Sequence, residues 1–382
     1  MIILLKNILT MDDILPLVME ISKNDKNRKI TFHVESYKHL LHIRESIFLP
    51  RFFKEINANL IGKNSKNQNL FRITKILFYI RKLFSTRTKI ITYQPSSRLL
   101  KIYLKINKTF TSSKSIQTLL VNASYDQALN IDKYHDSIRG YRKPKEEYYF
   151  FSNKLLLSHS YQDSAEIFNL VLPNKKNVFS IGTTRYFDSW KNFIEKSNIQ
   201  KYQNKKIFYL PLTATKGHIV HGERAPEFGE KLESLIKVLS NYNKSFHLVM
   251  RPHHKTDLSI VKNLLNKYNF TDYSFSENHN FELINYCDLV VSYHATSVFI
   301  DAWMMSKPVI EHSIYDERFS DLNNQKPRYL DAVTCFTNLN ESVLEKGIIL
   351  ALKNKLNPKP KPKKLVKSSK EDFMEFLEYI KG

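Results

Sequence analysis

The feature that most constrains this chain is an alternation of short apolar runs with longer stretches of helical periodicity, played out twice along its length. Short apolar runs bounded by polar turns read as buried strands, and apolar repeats at three and four residues read as amphipathic helices. The first series begins with a strand at Ile2–Leu5 and an amphipathic stretch from Asp12 to Ser22. Strands follow at Lys29–Val34 (KITFHV), Lys89–Tyr93 (KIITY) and Thr118–Val121 (TLLV). Short runs at Tyr148–Phe151 and Lys154–Leu157 come next, and Val178–Ile181 (VFSI) closes the series. The second series is cleaner, with strands at Lys206–Leu210, Phe246–Met250 and Leu289–Ser292. Its helices fall at Pro226–Ser240, Leu258–Lys267, Phe281–Tyr286 and Val298–Met305, and a further element opens at Val309–Ile310. Strand and helix in alternation imply a parallel sheet with crossover helices, so each series predicts a doubly wound α/β unit.

A length of 382 residues exceeds what one hydrophobic core usually supports, which also points to two domains. The expected division is an N-terminal domain over 1–195, a polar linker over 196–205, a C-terminal domain over 206–350 and a tail over 351–382. The tail contains the run NPKPKPKK at 357–364, held extended by its prolines, and ends in an amphipathic helix at Glu371–Ile380.

Composition narrows the class. A hydrophobic share of 42% with 13% aromatics excludes a disordered chain. Cys287 and Cys335 exclude a disulfide framework and lack metal-ligand spacing, which fits a reducing, cytoplasmic compartment. The N-terminal stretch is apolar but broken by Lys6, Asp12, Asp13 and Pro16, so it does not read as a secretory signal. No apolar run approaches the roughly 20 residues that span a bilayer. The expectation is a soluble protein, peripheral at most to the inner face of the cytoplasmic membrane.

The formal charge of +22 comes without a nucleic-acid-binding motif, so nucleic acid is not an expected partner. The charge reads either as compositional, in a chain dominated by Lys, Asn and Ile, or as suited to an anionic membrane surface or a phosphate-rich acceptor. One candidate contact is Lys75, Arg81, Lys82, Arg87 and Lys89, interleaved with Phe78, Tyr79 and Phe84. The other is Lys359, Lys361, Lys363 and Lys364. The competing readings are a crossover helix with a solvated basic face and a final helix that packs back on the N-terminal domain.

The stretch Asp288–Ile310 (DLVVSYHATSVFIDAWMMSKPVI) carries the most chemistry. A buried strand runs into His294-Ala295-Thr296-Ser297, and an apolar helix follows. Thr296 or Ser297 at the helix N-cap would stand beside backbone N–H groups that favour an anion. The strand ending at Met250 runs directly into Arg251, Pro252, His253 and His254, where arginine and protonated histidine can hydrogen-bond phosphate oxygens. Both places lie at carboxyl ends of strands, where doubly wound sheets take their ligands. No carboxylate or cysteine stands at metal-ligand spacing from the two histidines, and no D-x-D pair occurs, so no metal and no cofactor are expected.

In this order, an H-P-type motif after a strand, a T-S pair before a helix and then K-P-V-I, the chain resembles bacterial glycosyltransferases of the GT-B architecture. The nearest are the CMP-sugar-dependent sialyltransferase and Kdo-transferase-like enzymes of surface polysaccharide synthesis. The resemblance covers about residues 130 to 312 and implies two Rossmann-like domains facing a central cleft. In those enzymes the motif histidine and the paired hydroxyls hold the donor's phosphate, which carries over to His253 and to Thr296 with Ser297. The chain departs from the pattern with His254 where proline is usual and with His294. The families' acidic-acidic-glycine motif, whose second acid is the catalytic base, is matched by Tyr134–Tyr141. There Asp136 takes the base position, while His135 and Ser137 replace the first acid and the glycine. The run Ile181–Asp188 is similar to the G-x-x-R-x-D segment that ends the N-terminal domain in many of them.

What the resemblance implies is an inverting displacement. Asp136, or His135 beside it, would deprotonate an acceptor hydroxyl of a glycan or lipid-linked acceptor. His253 and Arg251, with Thr296 and Ser297, would stabilise the departing nucleotide of the donor, with His254 and His294 beside them. The loop Thr213–His218 (TATKGH) adds Thr213, Lys216 and His218 as secondary donor contacts. Within the same fold, Ile314–Phe319 is similar to the Y-D-x-x-Y of CDP-glycerol-dependent glycerophosphotransferases, although their D-Y-S-S is absent. A hydrolysing UDP-sugar epimerase would carry a T-x-H-R-x-E-N motif, which is also absent. A binding protein with a decayed site is the alternative outside catalysis.

Overall fold

The computed structural model describes residues 1–5, 11–46, 48–83, 90–92, 102–103, 106, 115–120, 154–158, 178–181, 184, 187–196, 205–213, 228–253, 256–315, 326–360 and 370–381. These fall into two units. The first takes the described residues from Met1 to Phe193 together with those after Lys364, and the second takes those from Ile194 to Lys363.

The first unit holds seven strands: β1 (Ile2–Leu5), β2 (Thr31–Val34), β3 (Asn59–Leu60), β4 (Ile90–Thr92), β5 (Ser115–Leu120), β6 (Lys154–Ser158) and β7 (Val178–Ser180). They pair in the order β3-β2-β1-β4-β5-β6-β7. Every pairing is parallel, with Ile2 opposite both Thr31 and Ile90. The helices are α1 (Met11–Asn24), α2 (Tyr37–Glu45), α3 (Phe48–Glu55), α4 (Gln68–Leu83) and α5 (Asp188–Glu195). Ile14, Leu17, Val18 and Ile21 of α1 are wholly buried, the spacing of an apolar helical stripe. Phe52 meets Trp190 and Phe193 edge-to-face at centroid distances of 6.0 and 5.8 Å. Such pairs add stabilisation beyond the area they bury.

The second unit holds β8 (Lys206–Pro211), β9 (Phe246–Arg251), β10 (Tyr273–Phe275), β11 (Leu289–Ser292), β12 (Val309–Glu311) and β13 (Cys335–Phe336). Their order is β10-β9-β8-β11-β12-β13, again parallel throughout. The helices are α6 (Phe228–Ser240), α7 (Leu258–Lys267), α8 (Asn280–Tyr286), α9 (Val298–Met304) and α10 (Glu341–Leu352). β9 and β11 read as near-continuous apolar runs because helices cover both faces of a parallel sheet. Phe208 stacks on Phe246 at 4.1 Å, and Leu232, Leu235, Ile236 and Leu239 of α6 close over the same core. In both sheets the chain starts in the middle, winds to one side and then to the other. In the second unit the direction therefore reverses between β8 and β11.

The last helix, α11 (Lys370–Lys381), belongs to the first unit. Its Phe376 packs on Phe179 of β7 at 5.6 Å, Phe373 meets Phe187 at 5.3 Å, and Arg28 Nη1 donates to the Ile380 carbonyl at 2.9 Å. The final helix thus packs back, as the competing reading of the tail held. Two lysines expected to face a membrane are also turned inward. Lys75 is buried and donates to the Glu35 carbonyl at 2.8 Å, and Lys359 donates to the Leu330 carbonyl at 2.8 Å. Lys361, Lys363, Lys364, Arg87 and Lys89 lie outside the described residues. Among the described residues no helix is long and apolar enough to cross a membrane.

Candidate functional site

Because all six strands of the second unit run the same way, their carboxyl ends share one edge, and the reversal between β8 and β11 marks the position at which doubly wound sheets take their ligands. Three loops meet at that point, at Thr213. Leu212 N–H donates to the Arg251 carbonyl at 2.9 Å, extending the β8–β9 ladder past the end of β8. Thr213 N–H donates to the Tyr293 hydroxyl at 3.1 Å, which ties in the loop after β11. Thr256 Oγ1 donates to the Thr213 carbonyl at 2.9 Å and accepts from His253 N–H at 2.9 Å, which ties in the loop after β9. The backbone around His253 is therefore fixed from both sides, since Thr256 N–H also returns to the His253 carbonyl at 2.8 Å.

The side chains named from the sequence divide into three groups. Arg251, His253, Thr213, Thr296 and Ser297 are half-buried, and the strand ends bring them to one edge. Arg251 Nε donates to the Asn278 carbonyl at 2.8 Å, which aligns the guanidinium along the loop before α8. Asp136, His135, His254, Lys216 and His218 lie outside the described residues, as do Gly182 and Arg185. His294 forms the third group. It is buried against Tyr293, with Nδ1 at 3.1 Å from Ser292 Oγ. Burial, reinforced by the charges of Lys231 and His253, pushes its pKa down to about 3. His294 is neutral at pH 7 and can supply no positive charge to a phosphate.

Ser297 stands at the N-cap of α9 in helical conformation (φ −60°, ψ −19°), and its hydroxyl makes no cap hydrogen bond. Helices elsewhere in the unit use theirs. Asp257 accepts from Ser259 N–H at 3.0 Å and Asn340 from Val343 N–H at 3.1 Å. Thr296 Oγ1 accepts from Val298 N–H only at 3.4 Å. With seven residues, α9 contributes little long-range dipole, so what it offers is local: two hydroxyls at the edge of the sheet.

Several residues here were not found by reading the sequence. Lys231 in the first turn of α6 is 2% exposed and donates to the Ile314 carbonyl at 3.0 Å. A lysine beside Leu232 and Leu235, on the apolar face of an amphipathic helix, was the available signal. His312, just past β12, is buried between Ser234 Oγ (2.9 Å) and Thr337 Oγ1 (2.7 Å). Burial lowers its pKa to about 4 against the opposing pull of Glu341. Glu311 accepts from Ser313 and Tyr315, and the Tyr315 hydroxyl also accepts from Arg328 N–H at 3.1 Å. The tyrosine of the Y-D-x-x-Y-like segment is thus tied into the interior. Among the described residues no three His, Cys, Asp or Glu side chains cluster as metal ligands would.

No protein-family model matches the chain, and no curated protein is detectably similar to it in sequence. Its fold, however, superposes on solved structures over almost its whole length. One, from Listeria monocytogenes and provisionally described as a UDP-N-acetylglucosamine 2-epimerase, matches with TM-score 0.53 and 11% identity, covering 93% of this chain and 88% of that one. A second UDP-N-acetylglucosamine 2-epimerase matches with TM-score 0.54 and 10% identity, covering 95% and 92%. An ADP-heptose lipopolysaccharide heptosyltransferase II from E. coli superposes more loosely, with TM-score 0.44, 11% identity and coverage of 93% and 98%. The chain has the GT-B fold: two parallel-sheet α/β domains.

Proposed function

We propose that this chain is a nucleotide-sugar-dependent glycosyltransferase whose donor nucleotide is held at the carboxyl edge of the second unit. The observation that carries the reading is the convergence on Thr213 of the loops after β8, β9 and β11, at the point where the strand order reverses. Arg251 and His253 supply donors to the phosphate, and Thr296 and Ser297 supply hydroxyls, so charge developing on the leaving nucleotide meets preorganised partners. An acceptor hydroxyl attacks the anomeric carbon, its proton passes to Asp136 or His135, and the bond to the nucleotide phosphate breaks with its electron pair on the phosphate oxygen. The configuration inverts. Protein cations take the place of a divalent ion, so turnover persists in chelator.

The order of motifs supports a CMP-activated acid of the nonulosonic or Kdo type as donor, and a surface glycan or its lipid-linked precursor as acceptor. Melting with cytidine, uridine, guanosine and adenosine nucleotides tests this, because a ligand that binds only the folded state raises the melting temperature. Cytidine nucleotides should give the largest shift. A uridine preference moves the assignment to another donor class, and no shift with any nucleotide removes the transferase reading.

A second reading rests on the superposition with the two UDP-N-acetylglucosamine 2-epimerases. An epimerase acts on UDP-N-acetylglucosamine without an acceptor. Incubation with that sugar nucleotide alone, followed by analysis of the configuration at C2 of the hexosamine, whether free or still nucleotide-linked, separates the two readings.

A further inference from the structure

One helix of the first unit is built the wrong way round for a protein surface. Along α4, Phe71, Lys75 and Tyr79 face inward at four-residue intervals. Tyr79 donates or accepts at 2.7 Å with His33 Nδ1 and packs on Tyr103 at 4.5 Å, so the inward face is settled. A surface helix ordinarily turns charged and polar residues to water on its other side. Here the other side presents Leu70, Ile73, Ile76, Leu77 and Ile80, a stripe at spacings of three and four residues, with Leu77 61% and Ile73 54% exposed. Five of the eleven large hydrophobic residues exposed among the described residues lie on this one 16-residue helix. Ile102, next to the Tyr103 that packs on Tyr79, adds a sixth.

The charged residues on the helix and in the turn before it are all basic. Lys63 and Lys66 in the preceding turn are exposed, as are Arg72 and Arg81 on the helix, and Lys82 is half-buried over the Phe78 ring. The sequence shows how one-sided this is. Between Glu55 and Asp126 there are 13 lysines and arginines and no aspartate or glutamate, so more than half of the +22 sits in 70 consecutive residues.

We infer that α4 is a membrane-docking helix that lies in the interface of an anionic phospholipid surface. Aliphatic side chains enter the acyl boundary while the flanking cations meet the headgroups. At about 24 Å the helix is too short to span a bilayer but suited to lying along it. A second copy of the chain is disfavoured as occupant because two such faces would bring like charges together. A nucleic acid would neutralise the cations but leave the aliphatic stripe uncovered. This inference does not depend on the nucleotide site, which belongs to the other unit.

The test is flotation of the full chain with vesicles of equimolar phosphatidylglycerol and phosphatidylcholine, compared with pure phosphatidylcholine. The wild type should float with the anionic vesicles, remain behind with the neutral ones, and lose binding steeply as salt rises. The double variant Ile73→Ser/Leu77→Ser removes exposed apolar surface only, so its circular dichroism and melting should match the wild type. Its vesicle partitioning should fall at least about tenfold. Arg72→Gln/Arg81→Gln should weaken partitioning by about fivefold per charge. Absence of wild-type binding, equal binding to neutral vesicles, or serine variants that bind like wild type overturns the proposal. So does a wild-type dimer that the serine variant converts to monomer without any vesicle binding.

Discussion

The two edges of the sheet in the second unit use the same kinds of side chain for opposite ends. At the amino edge, His247 Nδ1 lies 2.6 Å from Asp272 Oδ1 and its Nε2 lies 2.9 Å from Ser274 Oγ, while Lys205 reaches Asp272 Oδ2 at 2.5 Å. Burial pushes the Asp272 carboxyl up, but hydrogen bonds from Lys205 and His247 outweigh it and hold the pKa below its usual value. Both ring nitrogens of His247 are engaged, and the result is a clamp on the three-residue edge strand β10. At the carboxyl edge, His253 is fixed through its backbone, Ser297 leaves its hydroxyl off the helix cap, and three loops rather than two strands are joined. Histidine, serine and aspartate do not by themselves mark a site. The edge of the sheet at which they stand decides whether their hydrogen bonds close on one another or open to a ligand.

The largest expected effect lies between the edges, in the shared core. Phe208→Ala removes a ring stacked on Phe246 and should cost about 3–5 kcal/mol in denaturant unfolding. A loss under about 1 kcal/mol would mean that the core of this unit is not packed as described.

Acid should weaken the carboxyl edge next. His294 and His312 titrate at about 3 and about 4 in the folded chain, both driven down first by burial. The unfolded chain takes up these protons near pH 6.5, so the full contribution is present above that value. It is lost as pH falls from 6.5 toward 4, at roughly 1.4 kcal/mol per pH unit for each histidine. Unfolding free energies at pH 7 and 5 check this, and His312→Asn should flatten the slope. A pH-independent stability across that range would show that these side chains are not buried neutral.

The smallest effect separates a cap that caps from one that does not. Asn340→Ala should cost about 1 kcal/mol because its side chain holds Val343 N–H. Ser297→Ala should leave stability unchanged and weaken nucleotide binding instead. Equal stability losses in the two variants would return Ser297 to an ordinary structural cap.

Much of this could be read from the chain. The apolar runs at Lys206–Leu210, Phe246–Met250 and Leu289–Ser292 became β8, β9 and β11, because a strand covered on both faces needs an unbroken apolar run. Several of the missed elements are short or mixed in character. β3 and β13 have two residues each and β10 three, too few to show a period. α2 buries only Leu40 and Ile43 among lysine, histidine and arginine, which left no clear stripe. At the site, the strand ends announced Arg251 and His253. Tyr293 and Thr256 stayed hidden because their role is to join loops that lie 43 and 80 residues apart in sequence. The burial of His294 was not legible, because sequence shows a histidine but not its surroundings.

The most direct measurement is a calorimetric titration of the nucleotide that raises the melting temperature most, against the wild type, His253→Ala and His247→Ala. The two histidines lie on and just past the same strand, at opposite edges of the sheet. His253→Ala should fold normally and bind the nucleotide about a hundredfold more weakly, at the lower end of the roughly 2.7–4 kcal/mol that a lost oxyanion donor costs. His247→Ala should melt earlier and bind with unchanged affinity. If His253→Ala binds like the wild type while His247→Ala loses the nucleotide, the ligand lies at the other edge and the site described here is wrong.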